Sequence, residues 1–162
     1  MKKSIISVVI ALVPCSAFPA AAFDGIGVGA IVGEPTGISV KKWLSPTRAV
    51  DFAAAWSFSE NDSLQLHGDY LFHDFSLLQP QGITGRMPLY VGLGLRMKLK
   101  DSNNPGGRNE HDNLFGVRVP LGVNYLFADA PVDLFAELAP ILDVAPDSNF
   151  DINAAFGARF YF

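Results

Sequence analysis

From Phe150 to the final Phe162, every second residue is apolar: Phe150, Ile152, Ala154, Phe156, Ala158, Phe160 and Phe162 share one side of an extended chain. Asp151, Asn153, Ala155, Gly157, Arg159 and Tyr161 share the other. A helix would bring Asp151 and Arg159 round onto the apolar side, so a period of two over this length demands a strand with two unlike faces. The same sorting runs from Leu89 to Lys100, where Leu89, Val91, Leu93, Leu95, Met97 and Leu99 oppose Tyr90, Gly92, Gly94, Arg96, Lys98 and Lys100. It returns in Phe115 to Phe127, Val132 to Ala139, Val50 to Phe58 and Leu64 to His73. Two weaker copies lie at Gly25 to Val32 and Ile38 to Lys41.

Eight strands of about 9 to 13 residues result. Gly33-Glu34-Pro35, Ser45-Pro46-Thr47, Glu60-Asn61-Asp62 and Pro146-Asp147-Ser148-Asn149 supply turns between them, and no helix of useful length fits. Successive strands on short connections pair antiparallel, so the expected fold is all-β, an eight-stranded antiparallel up-and-down barrel. Composition agrees. The chain is 49% hydrophobic and 17% charged with a mean hydropathy of +0.25, too apolar for an average soluble domain. Yet only the N-terminal stretch is continuous enough to resemble a membrane helix.

That stretch reads as a targeting signal. Lys2 and Lys3 precede the apolar run Ile5 to Val13, and small residues lead to Ala20-Ala21-Ala22, a cleavage pattern. Residues 1–22 are expected to be a removed signal peptide and residues 23–162 the barrel. Cleavage removes Cys15, the single cysteine, so stability must come from hydrogen bonding and packing instead of disulfides. The acidic balance of the remaining chain excludes a nucleic-acid binder, which needs a basic surface.

Two barrels satisfy the period. A soluble lipocalin-like barrel turns its apolar face inward around a ligand, and a transmembrane barrel turns it outward to lipid. Three features favour lipid. The polar face is rich in Gly and Ala, which suits a crowded interior. Its charges nearly balance: Lys41, Arg96, Lys98, Arg118 and Arg159 stand against Asp51, Asp69, Asp133, Glu137 and Asp151, as a closed interior requires. With the N-terminus in the periplasm, Trp43, Tyr70, Phe72, Tyr125 and Phe127 fall at one level with Phe160, Tyr161 and Phe162. Trp56, Phe58, Phe115 and Phe150 fall at the other, giving two aromatic girdles.

On these residues the chain resembles the small eight-stranded outer-membrane barrels of the OmpA and OmpX kind. Pro88-Leu89-Tyr90-Val91-Gly92-Leu93-Gly94, Gly116-Val117-Arg118-Val119-Pro120 and Asn153 to Phe162 are similar to an uncharacterised bacterial family of that superfamily. The resemblance implies residence in the cell outer membrane of a Gram-negative-type envelope. It also implies that Phe156, Phe160 and Phe162, with Ala158, form the signal read by the barrel-assembly machinery. Two departures stand out: no peptidoglycan-binding domain is expected after the barrel, and Phe75 to Met87 is long for a periplasmic turn.

Ser57, His67 and Asp69 could be drawn as nucleophile, base and orienter of a lipid A acyl hydrolase or transferase. They match no esterase motif, and a polar plug needs such residues anyway, so the expectation is a non-enzymatic, structural or surface-interaction barrel. Lipid A modification is the alternative. His67, His73 and His111 are too scattered for a metal site, and no cofactor is expected. Gly25-x-Gly27-x-Gly29 has no following helix and reads as the inward face of the first strand. The expected partners are outer-membrane lipids and the assembly machinery, with the loop Asp101 to Asn113 as the first candidate for an extracellular partner and the barrel itself a monomer.

Overall fold

The structure is a computed structural model that describes residues 25–34, 36–57, 63–100, 113–146 and 148–162. The expected signal peptide, Phe58 and all of the Asp101 to Asn113 loop except Asn113 lie outside the described residues.

The chain forms β1 (Ile26–Gly33), β2 (Thr36–Ser45), β3 (Arg48–Ser57), β4 (Ser63–Asp74), β5 (Gly85–Arg86), β6 (Leu89–Lys100), β7 (Leu114–Arg118), β8 (Leu121–Phe127), β9 (Val132–Ala145) and β10 (Asn149–Tyr161). All pairings are antiparallel, and β10 returns to pair with β1, closing the sheet on itself. β7 and β8 are the two halves of one barrel strand, because both pair with β6 on one side and β9 on the other. Nine of the ten segments therefore make an eight-strand ring, with β5 added beside β8, and among the described residues each ring strand has a neighbour on both sides.

The break between β7 and β8 falls at Val119-Pro120. Proline has no N–H for the ladder, and a second proline, Pro140, stands on β9 opposite the neighbouring Val119. The remaining groups still pair: Val119 N donates to Pro140 O (3.0 Å) and Gly92 N to Pro120 O (2.9 Å). β9 accordingly runs on through Pro140 to Ala145, beyond the expected end at Ala139.

Parity holds along the ring, and the apolar face is outside. Leu95 and Phe156 are 68% and 62% exposed, while Arg118 and Asp133 on the opposite face are 1% and 0% exposed. The lower end, defined by Ile26 and Phe162, carries the Phe75 to Met87 connector. This segment folds back across the mouth. Phe75 packs against Trp43, Ala49, Leu126 and Tyr161, β5 pairs with Leu126 and Phe127, and the Tyr125 hydroxyl donates to Thr84 O at 2.9 Å. The ladder above it is continuous, from Ser63 opposite Lys100 to Asp74 opposite Leu89.

Candidate functional site

Inward side chains from every wall meet along the barrel axis, because strand alternation sends each second residue there and closure leaves no water-exposed face to receive it. Near the upper end, Arg96 lies between two carboxylates. Its Nε is 3.3 Å from Asp143 Oδ1, and its Nη1 donates to Asp151 Oδ2 at 2.8 Å. Asp143 is fully buried, whereas Asp151 reaches the rim with a side chain 40% exposed.

In the middle, Arg118 donates through Nη2 to Glu137 Oε1 and places Nη1 3.3 Å from Asp69 Oδ2. Tyr90 donates its hydroxyl to Glu137 Oε2 at 2.8 Å, joining a third strand to the pair. Asp69 fits there because its cross-strand partner is Gly94: a Cβ on Gly94 would stand 1.8 Å from Asp69 Oδ1 and 2.5 Å from Gly68 O. Beside them, Arg159 Nη1 donates to Asp51 Oδ2 at 2.7 Å, and Nε is 3.4 Å from Asp133 Oδ1. The guanidinium sits 3.9 Å from the Phe135 ring centroid, and Ser39 Oγ donates to the second oxygen of Asp51 at 3.2 Å.

Towards the lower end the chemistry changes. Lys41 Nζ donates to Asn124 Oδ1 at 3.0 Å and lies 2.8 Å from His73 Nε2, with the rings of Trp43 and Tyr90 at 4.6 and 5.4 Å. Asn124 Nδ2 and the Tyr161 hydroxyl both donate to Asp133 Oδ2, at 3.0 and 2.9 Å. This chain links the lysine cluster to the Arg159 cluster. Burying so many charges is tolerable only where each has partners, and the arrangement provides them from opposite walls.

The expected interior residues Lys41, Asp51, His67, Asp69, Arg96, Arg118, Asp133, Glu137 and Arg159 all stand on this face, with Lys98 half-buried near the upper rim. His67 Nε2 lies 3.9 Å from Asp69 Oδ2, beyond hydrogen-bond reach, and Asp69 faces Arg118. Sequence reasoning missed Asp143, Asn124, Tyr90, Tyr161 and Ser39 as members of the network. Each sits at inward parity. Asp143 was hidden behind Pro140, while the others are neutral groups that a balance of formal charges does not reveal.

Of the expected girdle residues, Trp56, Phe72, Phe115 and Phe150 are exposed on the outer wall, and Tyr70, Tyr125 and Phe127 stand half-buried there. Tyr70 meets Phe72 edge-on at 5.1 Å, and Tyr125 meets Phe127 at 4.7 Å. Trp43 and Tyr161 depart from the girdle reading. Trp43 is 9% exposed and points inward, because it lies two residues from Lys41 on the same strand and so shares its face. Phe156 and Phe162 are exposed on the outer wall, with Phe160 half-buried between them.

No family model matches the chain, and no curated protein matches it either. A solved structure does. The N-terminal β-barrel domain of OprF from Pseudomonas aeruginosa superposes with a TM-score of 0.56, covering 85% of this chain and 95% of that one at 16% identity. At that identity the likeness concerns the fold alone, a closed antiparallel β-barrel.

Proposed function

We propose that the protein is a monomeric outer-membrane β-barrel with a structural or surface-interaction role, its interior filled by a charge-paired network. One observation carries this reading: the apolar face is the outer one. Among the described residues, outward positions between the two aromatic levels hold Leu, Val, Ile, Ala, Phe, Gly and Pro, whereas Arg96, Arg118 and Arg159 point inward. An Arg or Lys on the lipid face near the bilayer midplane costs about 2–4 kcal/mol, so this sorting is what a bilayer selects. A soluble ligand-binding barrel would need the reverse. The fold shared with the N-terminal β-barrel domain of OprF supports the same reading.

The filled interior favours a structural role over a pore, and the engagement of Asp69 with Arg118 favours it over lipid A hydrolysis. Phe156, Phe160 and Phe162 on the outer wall suit recognition by the assembly machinery. Envelope fractionation tests the reading. The protein should appear in the outer-membrane fraction and migrate faster on detergent gels unheated than boiled. Recovery in the soluble periplasm with no heat-dependent shift overturns it.

A further inference from the structure

We propose that the outer wall carries a binding site for one aminophospholipid of the inner leaflet, its acyl chain in a groove across β4, β6, β8, β9 and β10 and its headgroup between Asp74 and Arg48. The proposal rests on the outer-membrane reading above and adds a ligand class and a place.

The groove has a volume of about 830 Å³. It exists because the outward side chains shrink to Ala136 and Ala154 where β9 and β10 pass, while Phe72 and Leu77 stand at one end and Phe156 at the other. Above Asp74 the outward side chains that line it are apolar and fit a flexible hydrocarbon chain.

The lower end of the groove is charged. Asp74 lines it, and its Oδ1 accepts from Ser76 N, Ser76 Oγ and Leu77 N at 2.7, 2.6 and 3.3 Å, leaving Oδ2 for an outside donor. Arg48 is the cross-strand partner of Phe72, two residues from Asp74 on the same outer face, and its guanidinium carbon stands 5.9 Å from the Phe72 ring centroid. Among the described residues, neither Asp74 nor Arg48 makes an ion pair. An anion and a cation flanking one aromatic at the headgroup level complement a headgroup that carries both signs. The phosphate meets Arg48, and a primary ammonium donates to Asp74. Phosphatidylglycerol would set an anion against Asp74 with no ammonium to offset it. Phosphatidylcholine has no N–H to donate.

The test uses the full chain in discs of equal parts phosphatidylethanolamine, phosphatidylglycerol and phosphatidylcholine, with native mass spectrometry counting the lipids that stay on the protein. Phosphatidylethanolamine should be retained above its share of the bilayer. Asp74→Asn should cut the ethanolamine-to-choline ratio about threefold, and Arg48→Gln should lower retention of all three lipids. Ala154→Phe, or Ala136→Phe where the first fails to fold, should reduce total retention while keeping the heat-dependent gel shift. Retention in bulk proportion, or a ratio unmoved by Asp74→Asn, overturns the headgroup assignment. Undiminished total retention in both groove-filling variants overturns the groove. Failure of the wild-type chain to enter discs at all overturns the membrane reading and this proposal together.

Discussion

Asp133 illustrates how single residues hold this interior. It is fully buried, accepts from both Asn124 and Tyr161, and lies beside the Arg159 guanidinium. Both neighbours of β9, β8 and β10, therefore depend on one carboxylate. Removing one partner from a buried charged group costs about 3–5 kcal/mol, mostly because the groups left behind remain out of water. Arg159 retains Asp51, so the lower end of that range applies. Asp133→Ala should lower stability by about 3 kcal/mol in urea unfolding from phospholipid vesicles. Asp133→Asn, which keeps one acceptor oxygen, should cost clearly less. Equal losses in the two variants would show that the hydrogen bonds from Asn124 and Tyr161 contribute nothing.

At the scale of elements, the strands were legible and their interruptions were not. Alternation depends only on which face a side chain meets, so β10 and β6 could be drawn from sequence with their faces correct. Pro140 made β9 look finished at Ala139, because a proline within a ladder ordinarily argues against a strand. Here Pro140 still accepts from Val119 N on the facing strand, and Pro120 accepts from Gly92 N on β6, so each proline keeps its carbonyl in a ladder and the strand runs on. Charge pairing was legible as a balance of signs but not as partners, since register decides that Arg96 meets Asp143 over Gly116 of the strand between them. The connector before β6 carried no period to read. Its role emerges from contact: Phe75 lies 6.3 Å from Trp43, and the Arg86 guanidinium lies 5.2 Å from the Phe75 ring. If this segment closes the lower mouth, Phe75→Ala should increase acrylamide quenching of Trp43 in a Trp56→Phe background and leave strand content unchanged by circular dichroism. Unchanged quenching would mean that the closure does not depend on this ring.

At the scale of the whole molecule, the question is which surface meets hydrocarbon, and the two tryptophans report on it separately. Trp56 stands on the outer wall near the upper aromatic level, 49% exposed, and Trp43 sits inside near the lower mouth. Because the chain has just these two tryptophans, Trp43→Phe and Trp56→Phe each leave a single reporter. In vesicles whose acyl chains carry bromine, a contact quencher, Trp56 in the Trp43→Phe protein should lose much of its emission relative to unbrominated vesicles. Trp43 in the Trp56→Phe protein should change little, since the barrel wall separates its ring from the chains. A soluble barrel would leave both reporters unaffected, and an inverted barrel would quench Trp43 instead. Quenching of Trp56 alone therefore requires three things at once: insertion into a bilayer, an apolar exterior, and an interior sealed from lipid by a closed ring of strands.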